Sequence, residues 1–238
     1  MDSESSFTIP LLNRAARWLM RPSFRLLFHI LFKVKITGEE NIPSAGGYII
    51  AHNHISYIEP PLILAFWPRA SEAISAVEVY KRRGQSWLVR LYGAIPIDRQ
   101  EMDRQSIQTM LRVVRAGKPL LIAPEGGRSH TPGLRRGLPG IAYIVNKAHV
   151  PVIPVGVIGS TSDALNKALK GKRPILEVRI GTPVTLPPLQ EQHTNPESRH
   201  LLRQQNIDLV MQAIAALLPP DYRGEYSSFE EVPKVATA

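Results

Sequence analysis

An α/β layered domain is the fold class this chain predicts, and three observations predict it. Short apolar segments of strand type alternate with segments of helical period, the pattern of a sheet covered by helices. Glycines and prolines fall between them, where the chain must turn. Chemistry-bearing residues follow the strand-type segments, at His54, Arg99 and 125–128, and ligands of α/β sheets gather beyond strand ends. At 238 residues the chain suffices for one full-sized domain with a substantial core.

The elements follow in order. Leu11, Leu12, Ala15, Trp18 and Leu19 recur at helical spacing, and Leu26, Leu27, Ile30, Leu31 and Val34 do so again after Pro22. Arg14, Arg17, Arg21, Arg25, Lys33 and Lys35 interrupt them. This predicts an N-terminal amphipathic helix pair broken at Pro22. No uncharged apolar run approaches the roughly 18 residues that span a bilayer. The pair therefore either lies in the membrane interface or packs on the domain core, and one face can serve each purpose. Strands are predicted over 34–37, 46–51, 73–77, 93–97, 119–123, 152–157 and 175–180, most of them apolar and bounded by turn residues. Helices are predicted over 61–67, 85–92, 102–116, 138–147 and 198–218. The 102–116 helix places Ile107, Met110, Leu111 and Val114 on one face and closes at Gly117; the last helix stops at Pro219-Pro220. The chain divides into N-terminal membrane-associating helices (1–33), a main domain (34–226) and a flexible tail (227–238).

Composition narrows the function. The formal net charge is +9, which attracts polyanions such as nucleic acid or anionic lipid headgroups. The basic residues are dispersed and carry no zinc-finger or RNA-binding signature, so a nucleic-acid partner is not expected. There is no cysteine, which excludes disulfides, thiolate catalysis and cysteine-ligated zinc. The opening Met1-Asp2-Ser3-Glu4 is acidic and lacks a signal-peptide pattern. No Gly-x-Ser-x-Gly elbow is present, and His52, His54 and Glu59 do not have zincin spacing, so neither a serine hydrolase nor a metal site is expected.

The most informative stretch is Asn53-His54-Ile55-Ser56-Tyr57-Ile58-Glu59, followed by Pro60-Pro61. Proline disfavours the α conformation in the residue before it, so a helix starting near Pro61 leaves Glu59 in the preceding turn. From there its carboxylate can fold back to His54. An imidazole steadied by a carboxylate is a general base with a fixed tautomer; the plainer alternative is a His and Glu that cap a turn. Three further stretches stand in a set order. Gly93-Ala94-Ile95-Pro96-Ile97 ends in Asp98-Arg99. Leu120-Leu121-Ile122-Ala123-Pro124 runs into Glu125-Gly126-Gly127-Arg128-Ser129. Val150-Pro151-Val152-Ile153-Pro154-Val155-Gly156-Val157 is a third apolar run.

In this order and at these spacings the four stretches resemble the motifs of the glycerolipid acyltransferase superfamily, in particular the 1-acylglycerol-3-phosphate acyltransferases. The resemblance runs from about Val34 to Tyr226 and implies a mixed, largely parallel sheet flanked by helices. It implies an O-acyltransferase of phospholipid biosynthesis that moves a fatty acyl group from an acyl thioester to the free hydroxyl of 1-acylglycerol-3-phosphate, giving phosphatidic acid. His54 would be the catalytic base and Glu59 its partner. Ser56 has no covalent role, and His52 is read as structural. Arg99 and Arg128 suit a phosphate, since guanidinium binds it with paired, charge-assisted hydrogen bonds; for Arg99 a salt bridge with Asp98 is the alternative. Gly126 and Gly127 are candidates to offer backbone N–H groups to the oxyanion. Glu125 either organises its loop or accepts from the acceptor hydroxyl. The 152–157 strand is expected to form core and acyl-pocket wall.

The expected partners are the bilayer, a lysophospholipid acceptor, and acyl-CoA or acyl-carrier protein as donor, with no cofactor. The expected place is the cytoplasmic face of the membrane, monotopic or peripheral. Three departures from the family pattern bear on the acceptor. Glu59 replaces the usual Asp, Gly127 replaces the Thr of Glu-Gly-Thr-Arg, and Val77 stands where a Lys is common, with Lys81 offset. They leave open the same chemistry on another lysolipid, glycolipid or aminolipid. A non-catalytic membrane-binding module is the remaining alternative.

Overall fold

The structure is a computed structural model that describes residues 7–98, 104–189 and 195–228. Its centre is a sheet of seven strands: β1 (Lys33–Thr37), β2 (Tyr48–His52), β3 (Glu72–Ala76), β4 (Ile95–Ile97), β5 (Pro119–Ile122), β6 (Val152–Ile158) and β7 (Ile175–Ile180). Their order across the sheet is β1-β7-β6-β2-β5-β3-β4. All neighbours pair in parallel except β6 and β7. The α/β, largely parallel architecture expected from the sequence is therefore present.

β2 is buried along its whole length. Its first four residues, Tyr48 to Ala51, are an unbroken apolar run because a parallel strand covered on both faces has no polar side. Alternate side chains enter two cores. Ile49 and Ala51, with Leu120 and Ile122 of β5, pack against α4 (Arg104–Arg115), α5 (Gly140–Ala148) and α7 (Pro196–Ala216). Tyr48 and Ile50, with Leu121 of β5 and Ile153 and Val155 of β6, pack against α1 (Leu11–Leu31), α2 (Glu59–Phe66) and α6 (Ala164–Leu169). The helix α3 (Ser86–Tyr92) adds Tyr92 to this second core. The site lies on this second side.

Two local expectations are corrected. The N-terminal helix pair is one helix, α1, which runs through Pro22. Proline removes one intrahelical hydrogen bond and normally breaks or kinks a helix. Here tertiary bonds hold both halves. Arg17, Arg21 and Arg25 are four residues apart and form one stripe facing inward. Arg17 donates to both oxygens of Glu72 at 2.9 and 2.7 Å and to the Tyr92 carbonyl at 2.7 Å. Arg21 donates to the Trp67 carbonyl, and Arg25 to the Ala65 carbonyl at 2.6 Å. Beyond them Phe28 is buried against Phe32 and Phe66. Leu11, Leu12, Trp18, Leu19, Leu26 and Ile30 stay exposed on α1. These three arginines thus dock the helix, and its apolar stripe faces outward. Among the described residues no helix is long and apolar enough to cross a membrane.

The second correction concerns α2, which starts at Glu59 rather than near Pro61. Pro60 and Pro61 occupy its first turn, where backbone N–H groups have no intrahelical acceptor and proline loses nothing. The short helix α6, absent from the sequence reading, fills the link between β6 and β7. Residues 229–238, most of the expected tail, lie outside the described residues.

Candidate active site

Strand β2 delivers His52, Asn53 and His54 to the carboxyl end of the sheet. Asn53 is pinned to β6: its amide donates to the Val157 carbonyl at 2.9 Å, and the Val157 N–H donates to Asn53 Oδ1 at 2.7 Å. The following turn leads into α2. There the fully buried Glu59 carboxylate accepts from the Ile55 N–H at 3.2 Å and the Ser56 N–H at 2.9 Å. Its Oε2 lies 3.1 Å from His54 Nδ1. A carboxylate can only accept, so Nδ1 carries the proton and His54 Nε2 is left as the basic nitrogen.

The loop after β5 grips the backbone of His54 at both ends. Glu125 Oε1 accepts from the His54 N–H at 2.7 Å, and the Ser129 N–H donates to the His54 carbonyl at 2.8 Å. Glu125 Oε2 accepts from the Arg135 N–H at 2.9 Å. Burial pushes the Glu125 carboxyl up to about 7, against the pull of these two N–H groups. Both Glu125 oxygens are committed to backbone N–H groups and the residue takes no part in the cavity wall, the geometry that the loop-organising reading calls for. Gly126 sits at φ +66°, a backbone conformation that favours glycine, and a Cβ there would meet Leu138 Cδ1 at 2.2 Å and push that side chain aside. Its N–H donates to the Ala123 carbonyl at 3.1 Å and is taken within the turn. Of the two glycines proposed to meet an oxyanion, only Gly127 has its N–H uncommitted among the described residues, and it lines the cavity.

That cavity has a volume of about 370 Å³ and opens beside His54, within the range of pre-formed small-molecule sites. Its inner wall is apolar: Met20 and Phe24 of α1, Leu64 of α2, Ile74 of β3, Leu88 and Val89 of α3. No residue of β6 takes part, so the expectation that 152–157 forms a pocket wall is corrected. That strand lies on the far side of β2 from β5 and β3, which floor the cavity.

Two guanidinium groups mark the polar end. Arg128 stacks over the Tyr57 ring at 3.6 Å from its centre, and Arg82 donates to the Tyr57 hydroxyl. All three line the cavity with His54. Arg82 is not among the residues the sequence motifs single out, where Val77 and Lys81 stand near the family's usual Lys. The run Lys81-Arg82-Arg83 was the available signal, but which of the three points inward depends on the 3₁₀ turn at 79–81. Arg99, expected to bind phosphate, lies outside the described residues. His52 is buried, and burial together with the neighbouring His54 pushes it down to about 4. Its Nδ1 donates to the Asn53 carbonyl at 2.7 Å, so it is neutral and structural.

Comparison with known proteins follows the same lines. Residues 33–158 match the family model described as Acyltransferase. A Bacillus subtilis protein named 1-acyl-sn-glycerol-3-phosphate acyltransferase is 27% identical over 155 residues, covering 63% of this chain and 73% of that protein. A Streptococcus pneumoniae protein of the same name is 26% identical over 167 residues, covering 68% of this chain and 59% of its own length. The crystal structure of the 1-acyl-sn-glycerophosphate (LPA) acyltransferase PlsC from Thermotoga maritima superposes with a TM-score of 0.58 at 22% identity. It covers 83% of this chain and 79% of that one, a likeness of fold.

Proposed function

This chain belongs to the acyltransferase family, and from that premise we propose that it moves a fatty acyl group from an acyl thioester to the free hydroxyl of 1-acylglycerol-3-phosphate, yielding phosphatidic acid. The observation that carries the reading is the His54–Glu59 pair at 3.1 Å, at the junction of an apolar cavity and two guanidinium groups. His54 Nε2 removes the proton as the acceptor oxygen attacks the thioester carbon. Glu59 stabilises the imidazolium so formed. The C–O bond forms, the C–S bond breaks, and the imidazolium proton goes to the departing thiolate. The Gly127 N–H, on the cavity wall, is the donor proposed for the oxyanion.

The apolar cavity suits an acyl chain, and Arg82 and Arg128 suit the acceptor phosphate, with Arg99 added by its place in the family motif. Acyl-CoA or acyl-carrier protein is the proposed donor; the thioester supplies the driving force, so the step calls on no cofactor. The outward apolar stripe of α1 supports a monotopic or peripheral place on the membrane; the cytoplasmic face rests on the family resemblance alone. Gly127, standing where the family has a hydroxyl, favours a second reading in which the same chemistry serves a different lysolipid.

The test is purified protein with acyl-CoA and lysophosphatidate, followed by mass spectrometry of the lipids, beside phosphate-free lysolipids. His54→Ala should lower the rate by on the order of 10²–10⁴. A variant that turns over normally removes the proposed base, and equal rates on phosphate-free acceptors favour the second reading.

A further inference from the structure

We propose that Ser160 is a positioning residue that fixes the Glu59 carboxylate, and through it the His54 imidazole, against the sheet. The proposal rests on the acyl-transfer reading above. The donors to Glu59 are unevenly distributed. His54 Nδ1, the Ile55 N–H, the Ser56 N–H and the Ser56 hydroxyl all belong to the same short turn. All four come from the turn itself, whose backbone is held at His54 by Glu125 and Ser129, so none of them ties the Glu59 carboxylate to anything outside that turn. Ser160 does. It stands two residues beyond the end of β6, 101 positions away in sequence, and its hydroxyl donates to Glu59 Oε1 at 2.5 Å.

Ser160 has no exposed surface, and Glu59 has none either. A buried ionised carboxylate needs every donor it can reach. A hydroxyl facing a carboxylate must be the donor, and 2.5 Å is the length of a charge-assisted O–H···O⁻ bond. The same end of β6 already holds Asn53 through its two bonds to Val157. The β2–α2 turn is thus pinned at both flanks, backbone-side by Asn53 and carboxylate-side by Ser160. A glutamate has one more side-chain torsion than an aspartate. The longer side chain at position 59 therefore gains more from a fixed anchor on its outer oxygen. Ser160 does not line the cavity and touches no reacting atom. Its effect is on the orientation of the base, where a small displacement costs rate and leaves substrate binding intact.

The experiment is steady-state kinetics of the full chain with acyl-CoA and lysophosphatidate. Ser160→Ala should lower kcat about 10- to 100-fold, as loss of an orienting partner does elsewhere, with KM for both substrates within about 2-fold. In a Glu59→Gln background the same substitution should cost less than about 2-fold, because the group it acts through is already altered. Ser160→Cys keeps the shape with a weaker donor and should melt like the unaltered protein with an intermediate kcat. It serves if the alanine variant unfolds early. Unaltered kcat in the folded Ala or Cys variant overturns the proposal, as does an equal loss with and without Glu59. His54→Ala is measured in parallel: if it is inactive while Ser160→Ala is fully active, only the role of Ser160 falls. If His54→Ala is active, the acyl-transfer base itself falls.

Discussion

Separating Arg17 from Glu72 should loosen α1 and, with it, one wall of the cavity. The pair is nearly inaccessible, with side-chain exposures of 5% and 1%, and its shorter bond is 2.7 Å. Removing one partner leaves a buried charge without its counter-ion, which typically costs about 3–5 kcal/mol. Two features set where in that range each variant falls. Lys118 Nζ is 3.9 Å from Glu72 Oε1, so after Arg17→Met the carboxylate retains a distant cation. After Glu72→Met the Arg17 guanidinium keeps the Tyr92 carbonyl and stacks on the Tyr92 ring, 4.3 Å from its centre. Each single variant should therefore cost about 3 kcal/mol, the lower end. For a chain of this length that is a fall in melting temperature of about 6–12 °C.

The Arg17→Met/Glu72→Met double variant exchanges a buried pair for apolar contact and should lose less than the sum by about 2 kcal/mol or more. Urea unfolding of the four proteins measures this cycle, and limited proteolysis of α1 shows whether the loss is local. Single variants within 1 kcal/mol of the unaltered protein, or strict additivity, would refute the argument that this pair docks the helix.

Acidity should act on His52 and Glu125 in opposite senses. His52 is held at about 4, below its ordinary 6.5, so its contribution is present above pH 6.5 and lost as pH falls through 4. Glu125 is raised to about 7 from 4.5, so its contribution is present below pH 4.5 and lost as pH rises through 7. Each amounts to about 3 kcal/mol across its window. The two therefore nearly cancel between pH 4.5 and 6.5; in urea titrations across that range His52→Gln should leave stability falling as pH rises, and an unchanged slope would contradict the assignment. Arg82→Ala and Arg128→Ala should each raise KM for lysophosphatidate about 10-fold or more, the worth of one charge-assisted contact, with a smaller effect on a phosphate-free acceptor. Unchanged KM in both would remove these residues from the acceptor site. Trp18→Ser with Leu19→Ser, on the exposed stripe of α1, should weaken binding to anionic vesicles by sedimentation while leaving the melting temperature within a few degrees, since neither side chain is buried.

Much of this architecture is legible in the chain because it depends on local pattern. The strand-type run 119–123 is a continuous apolar segment bounded by turn residues, and burial on both faces of a parallel sheet leaves that mark directly in the sequence; 175–180 instead alternates, with Glu177 and Arg179 between buried Leu176, Val178 and Ile180. The meeting of His54 with Glu59 is nearly local too, since five positions and a turn suffice. Helix α2 starts two residues before Pro61 because the steric bias before a proline is weaker than the tolerance of a helix's first turn for prolines.

What the amino-acid order determined by itself was the alternation of strands and helices, the acid–imidazole pair, and the glycine turn at 126. Each is set by residues within a few positions of one another. Only the tertiary structure decided which way the arginines of α1 face, that Arg82 rather than Lys81 reaches the cavity, that Glu125 is occupied by backbone, and that Ser160 meets Glu59. Those outcomes depend on partners 10 to 101 positions away, and a contact of that kind leaves no period in the chain to read.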